Sequence, residues 1–244
     1  MRWLTVLLVC WTAAALAGTT DDSIPDSAYL RYADGFAPYT AEVSGLEAES
    51  GRIFRASGVA IADRYVLTAA HVAAPAGTCI VTFGKQNLRV SRVYVHHEWE
   101  PGRLGHDDIA VLETADSIGL SWYPPLSDGS EEPGSVCSIA GYGVSGPIST
   151  GYSVSDGRLR AGTNTVARFE RGVIVCLISR GSSPMEFGIG PGDSGGPLFV
   201  NGRLAGINSF TMADAPPLRS KSGEESGHTR VSLHREWIEG IVGR

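Results

Sequence analysis

Short apolar or β-branched runs recur along the chain: Val59-Ala60-Ile61, Tyr65-Val66-Leu67, Ile80 to Phe83, Val90 to Val95, Ile109 to Leu112, Val136 to Ala140, Val173 to Leu177, Pro197 to Val200 and Leu204 to Ile207. Each has the length of a strand, and turn pairs such as Asp128-Gly129 and Asp156-Gly157 separate them. Asn201-Gly202 stands directly between two of these runs, which predicts a hairpin. Helical spacing emerges only at the end, where Leu233, Trp237, Ile238 and Ile241 fall on one face of a helix predicted over about 233–243. Many short antiparallel strands and one terminal helix describe an all-β chain, built as barrels or as a sandwich. Residues 121–134 and 211–227 are rich in Pro, Gly, Ser and charge and read as a mid-chain linker and a long surface loop.

The first segment stands apart from this pattern. Met1-Arg2 is a short positive start, Trp3 to Leu16 is apolar, and Ala15-Leu16-Ala17 has the small-x-small form of a leader cleavage site. Residues 1–17 therefore read as a secretory signal peptide, and the product as a secreted protein, extracellular or periplasmic. A membrane anchor would need about 20 apolar residues, but Gly18-Thr19-Thr20-Asp21-Asp22 follows at once. Cys10 leaves with the leader. Cys79, Cys137 and Cys176 remain, enough for at most one intrachain bridge in a compartment where bridges persist. The chain has no Cys-x-x-Cys and no Cys/His cluster, so neither a metal nor another cofactor is expected. Its 244 residues, 43% apolar and 19% charged, are ordinary for a globular protein. A net charge of -6 without a basic cluster excludes the footprint of a nucleic-acid partner.

The sharpest chemical signature is Gly192-Asp193-Ser194-Gly195-Gly196-Pro197. Glycines around a serine let the backbone turn tightly, so that N–H groups can face the oxygen of an attacked carbonyl. The same residues match the nucleophile elbow of α/β-hydrolases, but that elbow needs a strand before the serine and a helix after it. Here Phe187-Gly188-Ile189-Gly190-Pro191 precedes and an apolar strand follows. A serine nucleophile also needs a base. His71, closing the run Val66-Leu67-Thr68-Ala69-Ala70, is placed at a strand end among small residues. The base needs a buried acceptor, and Asp108 stands immediately before an apolar strand. Spacing alone does not single these three out of six histidines and the competing Asp107.

Leu67-Thr68-Ala69-Ala70-His71, Asp108-Ile109-Ala110-Val111-Leu112 and Gly192 to Pro197, in the order His, Asp, Ser, resemble the catalytic blocks of the trypsin/chymotrypsin-like serine proteases. Gly58 to Ile61, Val95 to Trp99, Ala140-Gly141-Tyr142-Gly143, Gly206 to Phe210 and Thr229-Arg230-Val231 support the match, which spans about 38–244. The resemblance implies two packed six-stranded antiparallel β-barrels, about 38–120 and 135–232, with a C-terminal α-helix, and residues 18–37 as an N-terminal segment or short propeptide. It implies Ser194 as nucleophile, His71 as general base, Asp108 as its orienter, and the N–H groups of Gly192 and Ser194 as the oxyanion hole. His96 and His97 are expected to be structural. The expected activity is that of a secreted endopeptidase acting as a monomer on protein or peptide substrates. The competing class is a non-catalytic homologue that binds protein partners, whose mark, loss of a triad residue, is missing here.

The departures also carry information. Val72, Gly190 and Val200 replace bridging cysteines of relatives. Cys176 lies where relatives often have one but its usual partner is not evident, so the pairing among Cys79, Cys137 and Cys176 stays open, with Cys137–Cys176 one option. Relatives pair a freed Ile or Val terminus with the aspartate before the serine, here Asp193. No Ile-Val-Gly-Gly segment occurs; Ile24, after the non-basic Ser23, lies at about the right distance to supply a terminus by an atypical cleavage, while Arg52-Ile53 lies too near His71. The alternative is that internal partners satisfy Asp193 in a constitutively active enzyme. The specificity pocket implied by the resemblance has Gly188 as its floor and Ser209, Phe210 and Thr211 along its wall. With no charge at Gly188, cleavage after Arg or Lys is not expected, and small or medium apolar residues are.

Overall fold

The computed structural model describes residues 18–103, 105–131, 133–153, 156–212 and 219–243; the expected leader lies outside them. The first half comprises β1 (Thr19–Thr20), α1 (Asp26–Ala33), β2 (Thr40–Glu47), β3 (Ile53–Ala62), β4 (Tyr65–Thr68), α2 (Ala70–Ala73), β5 (Ala76–Phe83), β6 (Gln86–Val95) and β7 (Ala110–Thr114). The second comprises β8 (Val136–Gly141), β9 (Gly146–Pro147), β10 (Arg160–Glu170), β11 (Val173–Leu177), β12 (Phe187–Gly188), β13 (Pro197–Val200), β14 (Arg203–Met212), β15 (Glu225–Arg230), a 3-10 turn Val231–His234 and α3 (Arg235–Val242). Strands β2-β3-β4-β7-β6-β5 close one barrel and β10-β11-β15-β14-β13-β8 close the other. The sandwich left open by the strand pattern is thereby excluded.

Strands β4 and β7 are apolar on both faces because both faces are covered. Val66, Leu67, Val111 and Leu112 are fully buried in the core of the first barrel, which also takes in Phe199, Leu204 and Ile207 from the second. The second barrel closes over Ile139, Val166, Ile174 and Leu198. Asn201 and Gly202 take positive φ (50° and 74°) at the hairpin between β13 and β14, the geometry that matches strand twist.

The structure departs from the sequence pattern in four places. Strands β2, β10 and β15 were not legible as apolar runs. In β15 the buried residues are Ser226, Gly227, His228 and Thr229; Ser226 and His228 bond each other, and the Thr229 hydroxyl donates to Asp108 O at 3.0 Å. The expected loop 211–227 is shorter, since Thr211 and Met212 extend β14 and Glu225 opens β15; residues 213–218 lie outside those described. The terminal helix starts at Arg235, after a 3-10 turn that shifts the phase, so Leu233 is 61% exposed while Ile238 is buried. Residues 18–37 are built into the fold. Tyr29 of α1 is fully buried against the second barrel, its hydroxyl donating to Glu186 O at 3.1 Å, and Arg160 of β10 grips Asp26 through two hydrogen bonds. Among the described residues no helix is long and apolar enough to cross a membrane.

Candidate active site

The ladder between β4 and β7 pairs Thr68 with Ala110, which sets the segment after β4 beside the segment before β7. Ala69 and Ala70, both fully buried, let the chain turn at once into the single turn α2, and His71 emerges toward solvent with its side chain 41% exposed. Asp108 accepts the His71 backbone N–H at 2.8 Å and faces its Nδ1 at 2.7 Å. A carboxylate cannot donate, so Nδ1 carries the proton and Nε2 is left as the free acceptor. The Ser209 hydroxyl also donates to Asp108. Burial pushes the Asp108 carboxyl up, but the hydrogen bonds from His71 and Ser209 outweigh it and hold the group below the ordinary aspartate value.

The loop from Gly190 to Gly196 divides its N–H groups in a telling way. Those of Asp193, Gly195 and Gly196 are consumed by Gly190 O, Asn208 O and Asp193 O, at 3.0, 2.8 and 2.9 Å. Those of Gly192 and Ser194 have no acceptor among the described residues, and both residues are only partly buried. Gly195 is required by geometry: its φ is +83°, and a Cβ would lie 2.1 Å from Thr68 Oγ1 and 2.3 Å from Ser57 O. Ser57 locks the loop to the first barrel, donating its N–H to Ser194 O and its hydroxyl to Gly192 O, both at 2.9 Å. His71, Gly192 and Ser194 line one cleft of about 190 Å³. The structure shows no hydrogen bond between Ser194 and His71; in unliganded sites such contacts are often loose and tighten on substrate.

Asp193 is fully buried, pointing away from the cleft. It accepts N–H groups from Gly143, Gly190 and Gly18, each at 2.8 Å. Among the described residues no Lys, Arg or His pairs with it, and burial pushes its carboxyl up to about 6. Gly18 is held there by β1, which pairs antiparallel with β12 and parallel with β9. Of the two options for Asp193, the intact chain shows internal partners; Ile24 lies elsewhere, its N–H bonding Asp21 O at 3.0 Å and its side chain packing on the second core. A search for Ile or Val missed Gly18 because no side chain fits there. A Cβ on Gly18 would lie 2.2 Å from the Phe187 ring.

The expected pocket residues are placed differently from one another. Gly188 sits in β12 opposite Thr19, and a Cβ on it would meet Ile178 Cδ1 and Thr19 Oγ1, both at 2.7 Å. Thr211 pairs with Ser226 in the ladder between β14 and β15, while Phe210 lines a separate groove of about 830 Å³ with Met212, Arg168 and Glu225, which shares no lining residue with the cleft of His71 and Ser194. Cys137 and Cys176 are buried thiols with sulfurs 3.8 Å apart, and Cys79 is alone in the first barrel.

A buried polar string, missed by sequence reasoning because its members lie on three strands and a loop, supports the Ser194 loop from beneath. The Asn208 amide donates to Ala140 O and Asp193 O at 3.2 and 3.1 Å, so its Oδ1 faces His228 Nδ1 at 2.8 Å as acceptor. His228 Nδ1 therefore carries the proton, and Nε2 accepts from Ser226 at 3.0 Å. Burial lowers the His228 pKa to about 3 from the ordinary histidine value of 6.5. The unfolded chain binds this proton and the folded one does not, so the stability is whole above about pH 6.5 and declines as pH falls. At pH 4.5 the loss is about 3 kcal/mol. The urea midpoint should fall from pH 6.5 to 4.5, and His228→Gln should flatten that fall; an unchanged slope would contradict the assignment.

A family model described as Trypsin matches residues 31–238. Mast cell protease 2 of Ovis aries is 27% identical, covering 98% of this chain and 96% of its own length, and chymase of Papio hamadryas is 28% identical, covering 84% and 85%. The solved structure of HL collagenase superposes with a TM-score of 0.70 at 22% identity, over 86% of this chain and 95% of the other. That of neuropsin, a serine protease expressed in the limbic system of mouse brain, gives 0.66 at 20% identity, over 91% and 98%.

Proposed function

Because the chain belongs to the trypsin family, we propose that it is a secreted serine endopeptidase in which Ser194, His71 and Asp108 are the catalytic triad. The observation that carries this reading is the pair of unpaired N–H groups at Gly192 and Ser194, set in one cleft with a His71 whose Nδ1 is committed to Asp108. His71 Nε2 takes the Ser194 proton as the hydroxyl attacks the substrate carbonyl, and later returns it to the leaving amine. The two N–H groups receive the oxyanion. Asp108 orients the ring and stabilises the imidazolium. The machinery comes from one chain and serves peptide substrates as a monomer. Labelling of Ser194 by a fluorophosphonate, read by peptide mass spectrometry, tests the reading. Absence of label on folded mature protein would favour the non-catalytic binding module.

Export completes the site in this proposal. Cleavage after Ala17 turns the Gly18 amide nitrogen, 2.8 Å from Asp193 Oδ2, into an α-ammonium, giving the buried carboxylate the cation it lacks. The packing of Tyr29 and the Asp26–Arg160 pair supports residues 18–37 as part of the mature domain rather than a propeptide. On export Cys137 and Cys176 form the one bridge, so denatured mature protein should titrate for a single thiol, that of Cys79.

Substrate choice follows from Gly188. It offers no carboxylate, and burying an unpaired cation costs several kcal/mol. The mature enzyme should cleave after small or medium apolar residues such as Ala, Val or Leu. A peptide library varied at the residue on the acyl side of the cut measures this, and efficient cleavage after Arg or Lys would refute it.

A further inference from the structure

Away from the triad, three side chains with metal-binding atoms converge. His96 follows the end of β6, Asp107 lies in the loop before Asp108, and His234 closes the 3-10 turn before α3. Their ligand atoms all lie within 4.8 Å of one another, and His234 Nε2 is 3.6 Å from Asp107 Oδ1. A tetrahedral zinc ion with bonds of about 2.0–2.1 Å sets its ligands roughly 3.4 Å apart. The His234–Asp107 spacing is thus nearly that of a coordinated pair, and His96, within 4.8 Å of both, closes on the ion by no more than about 1.4 Å.

The group has the features of a built site rather than a chance surface cluster. His96 and His234 are each only 6% exposed, and their rings meet edge to face with centroids 4.7 Å apart. The other oxygen of Asp107 faces His106 Nδ1 at 3.2 Å, so one carboxylate oxygen is oriented by a histidine while its partner points at the candidate ligands. Asp107 also holds a φ of +53°, a backbone conformation uncommon for a residue other than glycine. A cavity of about 590 Å³ opens beside the three, lined also by Glu98 and His106, and leaves room for water in a fourth position. His96 Nδ1 accepts the Glu98 N–H at only 3.4 Å, a weak bond readily given up.

We propose that His96, Asp107 and His234 form a binding site for one divalent transition-metal ion of the zinc type, clamping the C-terminal helix to the first barrel. Two imidazoles and a carboxylate are the donor set that such an ion selects over calcium or magnesium. The clamp joins segments that no cysteine can tie together, because Cys137 and Cys176 both lie within the second barrel. His96, expected from sequence to be structural, becomes a ligand; His97 does not.

Cobalt(II), which absorbs visibly when held in a low-coordinate site, is the probe. Titrated into the mature protein, one equivalent should give that absorption, and zinc should displace it. The melting temperature should rise by several degrees with either ion. Both responses should vanish in His234→Gln and in Asp107→Asn and persist in His71→Ala. Should His234→Gln fail to fold, the partly exposed Asp107→Asn carries the test. Absence of the cobalt spectrum, its survival in Asp107→Asn, or its loss in His71→Ala, which would place the ion on the triad, overturns the proposal. None of these readouts depends on turnover.

Discussion

Replacing Ser194 by Ala, His71 by Ala, or both together is expected to lower kcat by nearly the same amount, on the order of 10⁴–10⁶-fold, while the fold survives. The physical basis is that nucleophile and base share one step. Without His71 the hydroxyl keeps its proton, and without Ser194 the imidazole has nothing to deprotonate, so the second deletion removes what the first has already disabled. The residual rate belongs to the Gly192 and Ser194 N–H groups, whose freedom is set by the loop and by Ser57 rather than by either side chain. Structural cost is small, because His71 is 41% exposed in its side chain and Ser194 lies at the cleft surface. Steady-state kinetics of the three variants, with circular dichroism as the control for folding, decide the matter. Additive losses in the double variant would show that the residues act in separate steps.

A mature chain carrying one extra residue ahead of Gly18 is expected to lose about 10²–10³-fold in kcat/KM. Asp193 is fully buried among three N–H dipoles, and burial alone pushes its carboxyl upward. An α-ammonium at Gly18 relieves that penalty, and breaking a buried pair by removing its cation costs about 3–5 kcal/mol. The loss reaches the chemistry because Asp193 directly precedes Ser194 and its own carbonyl accepts from both Gly196 and Asn208. Gly18 cannot be exchanged for a larger terminus, since the Phe187 ring occupies the space a Cβ would take. Sequencing the exported protein should give Gly-Thr-Thr as the first residues. Full activity in the extended chain, or a mature end elsewhere, would refute the coupling of export to activity.

The division between sequence and tertiary structure follows from what each kind of interaction requires. The sequence by itself determined the all-β class, the hairpin at Asn201-Gly202 and the local surroundings of His71, Asp108 and Ser194, because hydrophobic period, turn conformation and glycine content are properties of consecutive residues. With the resemblance it also located the paired barrels and the order of the three blocks. It did not reveal β15, where a run of polar residues is buried because Asn208 and Ser226 satisfy His228 from neighbouring positions. Nor could it place Gly18 on Asp193 across 175 residues, or bring His96, Asp107 and His234 together. Those arrangements rest on partners supplied by closure of the barrels, and burial of a polar or charged group depends on the partner, which no local pattern of residues encodes.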